Sequence, residues 1–185
     1  MVLSSWNDIH YIHRCEDLVL IKSIVKKIKP KVVVEFGTFQ GGFAGEIAET
    51  IKGWNGILHT IDFKKFEMVD TVLSICKNIT FHQCDILSEI DKISQLLLND
   101  GTVMLYTDNG NKMKEIELYA PFLKKGDILG THDYGTEVDP IIIEKMLKDW
   151  NFKQLYHEKF KAFEHPTDYP HSLTRFWIKG YIWAD

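Results

Sequence analysis

Residues Lys31–Gly42 read KVVVEFGTFQGG, and the order of residues in that stretch decides the fold. Val32, Val33, Val34 and Phe36 make an apolar run of strand length, with Glu35 near its end and a glycine-bearing loop directly after it. Phe43, Ala44, Ile47, Ala48 and Ile51 then recur at helical spacing, and Gly53 follows the end. A buried strand that delivers a carboxylate to a bare loop, followed by a helix, is half of a βαβ unit.

The same alternation continues in both directions. Upstream, Leu18, Ile21, Val25 and Ile28 share one face of a helix over 15–29. Glu16 and Asp17 open it, Lys26, Lys27 and Lys29 close it in keeping with the helix dipole, and Pro30 stops it. Downstream, GILHTID (56–62), ITFHQCD (79–85), TVMLYTD (102–108) and DILGTHD (127–133) read as strands. The intervening helices are expected over roughly 66–77, then around Ile90, Ile93, Leu96 and Leu97, and then around Met113, Ile116, Ala120 and Leu123. Asp139 and Pro140 form an N-cap and first helical residue for a helix carrying Ile143, Met146, Leu147 and Trp150. FKQLYHEKF (152–160) and LTRFWIKGYIW (173–183) have only the turn-like EHPTDYPHS between them, so they pair antiparallel at one edge. The expected fold is α/β: a Rossmann-like, doubly wound, seven-stranded sheet, mostly parallel, with an antiparallel C-terminal edge and helices on both faces.

Composition narrows the function. The 185 residues suit one domain, 1–185, with 1–14 as an N-terminal segment on the substrate side. A net charge of −4 with dispersed lysines lacks the footprint of a nucleic-acid binder. No apolar run reaches the ~18 residues of a membrane span, and residues 1–14 do not read as a signal peptide. Cys15, Cys76 and Cys84 show no CxxC spacing and read as reduced core thiols of a cytoplasmic protein. A homodimer is left open.

Open α/β sheets bind ligands outside the carboxyl ends of their strands. Here five consecutive strands finish in an acid: Glu35, Asp62, Asp85, Asp108 and Asp133. Ionised carboxylates only accept hydrogen bonds, so such a rim suits ribose hydroxyls, amino groups or cations and suits pyrophosphate poorly. The spacing E-x-G-x-x-x-G agrees, because it is not the G-x-G-x-x-G of dinucleotide sites. No G-x-S-x-G elbow or P-loop is present. His132 suits proton removal from a hydroxyl, since an unperturbed imidazole titrates near ~6.5, or it could ligate a metal or sit in solvent. Lys112 could steer or deprotonate a hydroxyl, although a solvated first-turn lysine is the simpler reading. Tyr134 could wall an acceptor pocket. His10 and His13 carry little signal for a metal, and EHPTDYPH, with His165, Asp168 and His171, could form a lid.

The glycine loop between Glu35 and the downstream Asp62 resembles the class I S-adenosylmethionine (SAM)-dependent methyltransferases. Over 15–135, KPKVVVEFGTFQGG and LYTDNGNKMKEIELYAPFLKKGDILGTHDYG are similar to a narrower group. That group is the small-molecule O-methyltransferases labelled cephalosporin hydroxylase or rhamnosyl O-methyltransferase, together with macrocin-type sugar methyltransferases. The resemblance implies Glu35, Gly37, Thr38, Phe39, Gly41 and Gly42 at the methionine end of SAM, and Asp62 on its ribose. It also implies Phe63 packed on adenine, Asp85 and Ile86 beside adenine, and Asp108 bordering the cofactor. His132, Asp133, Asp108 and Lys112 then fall on the catalytic side. Asp108, His132 and Asp133 match the positions at which some relatives hold Mg or Mn, with an imidazole where those relatives carry an acid. The implied partner is a small hydroxylated acceptor, a sugar or secondary metabolite. Rival readings are a non-catalytic protein binding SAM or S-adenosylhomocysteine (SAH), and an NAD or nucleotide-sugar enzyme.

Overall fold

The computed structural model describes residues 4–13, 15–156 and 174–180. Its strands are β1 (Ser4–Trp6), β2 (Ile9–Tyr11), β3 (Val32–Phe36), β4 (Ile57–Asp62), β5 (Ile79–Gln83), β6 (Val103–Thr107), β7 (Ile128–Thr131), β8 (Phe152–Leu155) and β9 (Arg175–Lys179). Its helices are α1 (Cys15–Ile28), α2 (Gly42–Lys52), α3 (Val69–Ile75), α4 (Ile90–Leu97), α5 (Lys112–Tyr119) and α6 (Pro140–Asp149).

The main sheet runs β5-β4-β3-β6-β7-β9-β8. The strands from β3 to β7 are mutually parallel, and β9 pairs antiparallel with both β7 and β8, as the alternation of strands and helices predicts. Chain order reverses between β3 and β6, so their following loops diverge and open a crevice there. Alternation along β3 serves two cores. Val33 packs with α1 and α2, whereas Val32, Val34 and Phe36 pack with the layer that contains Ile93, Ile116 and Ile143 from α4, α5 and α6. Glu35 lies level with Thr60 on β4 and Tyr106 on β6, which places a polar row where the α2 side of the sheet meets its carboxyl edge.

Two helices end sooner than their apolar spacing suggests. Helix α3 covers only Val69–Ile75, because Cys76 is already extended. The segment expected to stay helical to Leu123 tightens into a 3-10 turn over Ala120–Phe122, where Pro121 cannot donate a backbone bond. At α6 the cap forms as read: the Asp139 carboxylate accepts from the backbone of Ile141 and Ile142. Of the three free thiols, Cys76 is buried and Cys84 half-buried, but Cys15 is exposed at the start of α1. The segments FKQLYHEKF, EHPTDYPH and LTRFWIKGYIW extend partly or wholly outside the described residues, and so does the lid expectation for His165, Asp168 and His171.

The N-terminal segment is a β-hairpin that periodicity did not reveal. Its two-residue turn, Asn7 and Asp8, has positive φ at both positions, the signature of a type I′ turn. The hairpin buries Trp6, Ile9 and Tyr11 against α2, seating them on two glycines. A Cβ at Gly42 would lie 2.5 Å from the Ile9 carbonyl oxygen, and one at Gly45 would lie 2.5 Å from Cδ2 of the Trp6 ring. Gly45→Ala should therefore lose stability despite the better helix propensity of alanine. Overpacking against a rigid indole costs about 1–3 kcal/mol against a gain of about 1. A lower urea midpoint together with red-shifted tryptophan emission is the expected result.

Candidate active site

A cavity of about 350 Å³ opens at the reversal between β3 and β6. Glu35, Gly37, Thr38, Phe39, Asp62 and Phe63 line one side, and Asp108, Lys112, His132 and Asp133 line the other. The loop after β3 approaches the end of β6 so closely that a Cβ at Gly37 would lie 2.7 Å from the carbonyl carbon of Asp108. Gly37 also holds φ at 94°, so glycine is required there on both counts.

On the first side the carboxylates are arranged to accept. Asp62 closes β4, takes a hydrogen bond from the Phe39 backbone at 3.0 Å and another from the Lys64 backbone at 3.1 Å. That braces the loop and leaves further lone pairs toward the cavity. Thr38 and Thr60 share a 2.6 Å hydroxyl contact. Phe63 stands 66% exposed at the rim, beside the edge-to-face pair Phe39 and Phe66. Glu35 is 2% exposed, and its Oε2 has no hydrogen-bond partner. Burial pushes the Glu35 carboxyl from 4.5 up to about 8; a hydrogen bond from Thr60 opposes this, and the charges of Asp108 and Asp62 add to it.

The second side is a chain of alternating charges. The Nδ1 of His132 lies 3.3 Å from Oδ1 of Asp108 and 3.2 Å from Oδ1 of Asp133. The other oxygen of Asp133 lies 2.7 Å from the Lys112 ammonium, which also meets Glu137 at 2.8 Å and Asp108 at 3.6 Å. Although burial alone would lower it, the His132 imidazole is raised to about 10 by Asp108 and Asp133. The shift favours the protonated imidazole over the free base. Burial likewise opposes the Lys112 charge, but its carboxylate partners hold the ammonium above the usual lysine range. Lys112 is neither a solvated lysine nor a poised base: its side chain is 4% exposed and paired throughout. Among the described residues, Asp108, His132 and Asp133 are the group whose donor atoms lie within 4.8 Å of one another.

Other expected residues fall elsewhere. Asp85 is exposed and turns back to accept from the Leu87 backbone at 2.9 Å, while Ile86 is buried in the α4–α5 core layer. Gly41 is the left-handed N-cap of α2, and Gly42 seats the hairpin. Tyr134 packs near Trp177 and reaches Glu144, away from the cavity lining. His10 is exposed. His13, by contrast, is carried into the site by the hairpin. It stacks flat on Phe43 at 4.1 Å, its Nε2 lies 3.0 Å from the Tyr106 hydroxyl, and its ring is 4.5 Å from that of His132. Burial and the neighbouring His132 charge hold His13 neutral, well below the ordinary imidazole range. Tyr11, Ile12, Phe43 and Phe66 also join the lining. The sequence signal that could have found His13 is the Asn7-Asp8 turn between alternating residues, which folds the segment back over α2.

Glu35 links stability to pH. Its folded-state value lies above its unfolded one, so folding favours the neutral form. That stability is complete below the unfolded value of 4.5 and is lost as pH rises toward 8. Glu35→Gln keeps the neutral shape, and its thermal midpoint without ligand should change less than the wild-type one between about pH 5 and pH 8. An unchanged pH profile would remove Glu35 as the cause.

Comparison with known proteins bears on the whole arrangement. A search of curated proteins gives no match. Among solved structures, a CmcI structure with SAH is 18% identical, with a TM-score of 0.57, covering 70% of this chain and 66% of its own. A CmcI structure with Mg-SAM is 17% identical, with a TM-score of 0.65, covering 82% and 68%. The O-methyltransferase TomG from Streptomyces achromogenes, in complex with SAM, is 16% identical, with a TM-score of 0.63, covering 94% and 83%. At these identities the likeness is one of fold, and this chain spans about two thirds of the CmcI chains. The family description Rhamnosyl O-methyltransferase/CmcI matches residues 2–180, nearly the whole sequence, and the chain belongs to that O-methyltransferase family.

Proposed function

We propose that this protein transfers the methyl group of SAM to a hydroxyl oxygen of a small molecule. The observation that carries the reading is one cavity with two unlike walls, an accepting wall around Glu35 and Asp62 and a charge-paired wall around Asp108, His132 and Asp133. Asp62 takes the ribose hydroxyls, and the unpartnered buried oxygen of Glu35 meets the ammonium end of the cofactor. Gly37 lets the loop close over that end, and Phe63 covers the adenine. SAM supplies an electrophilic methyl group carried on a sulfonium. The chain's contribution is to hold a hydroxyl in line with that methyl, largely a matter of positioning. Bound SAM would give its methyl to the acceptor oxygen with SAH as the leaving group, and Asp108 would stand ready to take the proton released from that hydroxyl. Protonated His132 holds Asp108 and Asp133 in place by hydrogen bonds.

A second reading assigns a divalent ion to Asp108, His132 and Asp133, and the convergence of their donor atoms favours it. Mg fits this set poorly, because it prefers oxygen shells, His132 presents nitrogen, and a lysine ammonium already lies against the same carboxylates.

Calorimetry with SAH tests the leading reading. Asp62→Ala is expected to weaken SAH binding by about 1.5–3 kcal/mol, roughly 10- to 150-fold, the cost of losing hydrogen bonds to a charged group. Unaltered affinity would sink the ribose assignment. Normal SAH affinity without labelled methyl transfer to any hydroxylated acceptor would favour a non-catalytic binder, and NAD binding in place of SAH would overturn the reading.

A further inference from the structure

The buried cation at the acceptor wall has a structural setting of its own. Lys112 is the first residue of α5, yet its side chain is buried at 4% exposure and directed to three acids. Its ammonium lies 2.7 Å from Asp133, 2.8 Å from Glu137 and 3.6 Å from Asp108. The turn after β7 is folded to make this possible. Asp133 adopts a left-handed φ of 55°, and its carbonyl accepts from the backbones of Thr136, Glu137 and Val138, which turns Glu137 back toward Lys112. An ammonium taken out of water is tolerated only where carboxylates surround it closely, and here the backbone is bent to supply one of them. Asp133 is thereby shared, with one oxygen on Lys112 and the other on His132.

We propose that Lys112 is a built-in cation of this site, its ammonium neutralising and orienting Asp108 and Asp133 where their donor atoms and that of His132 converge in a form that could otherwise hold a divalent ion. A divalent ion entering between those carboxylates would face a fixed positive charge a few ångströms away, so the wild-type chain binds such ions weakly. Lys112 is a positioning residue: it holds Asp133 so that Oδ1 faces His132. Its place in methyl transfer rests on the function proposed above, but the cation balance does not.

The experiment reads Mn²⁺ binding to the full chain by electron paramagnetic resonance, with SAH calorimetry on the same samples. Wild type should bind Mn²⁺ only in the millimolar range. Lys112→Met, which removes the charge and keeps the bulk, should bind it at least about tenfold more tightly, and Lys112→Arg should stay as weak as wild type. Micromolar Mn²⁺ binding by wild type, or no tightening in Lys112→Met, would overturn the proposal. If Lys112→Met does not fold, Lys112→Gln takes its place with the same two outcomes. Loss of SAH binding in every protein would refute the functional reading and leave the Mn²⁺ result standing.

Discussion

The close approach of two loops at the middle of the sheet sets the rest of the site. Where β3 and β6 run side by side and their connections part in opposite directions, the backbone at Gly37 all but touches the carbonyl of Asp108. That contact fixes the distance between an accepting wall on β3 and β4 and a charge-paired wall on β6 and β7. Any side chain at Gly37 would push the walls apart and misalign groups that must meet across a few ångströms.

Electrostatics then divides the labour between those walls. Glu35 is buried without a cationic partner and is pushed toward its neutral form. Asp133, just across the crevice, is held well below the usual carboxylate range. Burial works against this, but the hydrogen bonds and charges of His132 and Lys112 prevail. The two imidazoles divide in the same way. His132, between two carboxylates, keeps its proton, while His13, against Phe43 and the Tyr106 hydroxyl, stays neutral. Residue type alone does not distinguish these pairs. What distinguishes them is whether nearby opposite charge outweighs burial: around Asp133 and His132 it does, whereas burial prevails at Glu35 and at His13, even with Asp108 3.6 Å from the His13 ring.

Much of this was legible in the sequence because its physical causes are local. The strand-then-loop order of KVVVEFGTFQGG, the helical spacing of apolar residues and the acids closing successive strands are properties of short stretches. They sufficed for the sheet, for the antiparallel edge and for Glu35, Asp62, Asp108 and Asp133 at one crevice. Asp85 shows the limit of counting strand ends: it lies outside the cavity lining, where its carboxylate accepts from the Leu87 backbone. The shortened helices show another, since Pro121 and the extended Cys76 overrode apolar spacing that ran on past them.

Tertiary structure alone decided what enters the crevice from a distance. His13 is ninety-three residues from Tyr106, and it arrives only because a hairpin settles on Gly42 and Gly45 of α2. Lys112 reads in sequence as an ordinary first-turn lysine. It becomes a buried hub because the turn after β7 brings Asp133 and Glu137 back onto it. The sequence by itself determined which groups stand at the strand ends, since side-chain periodicity and turn chemistry act over a few residues. Which of those groups carry charge, and which are filled in by remote segments, depends on burial and on distances between residues far apart in the chain.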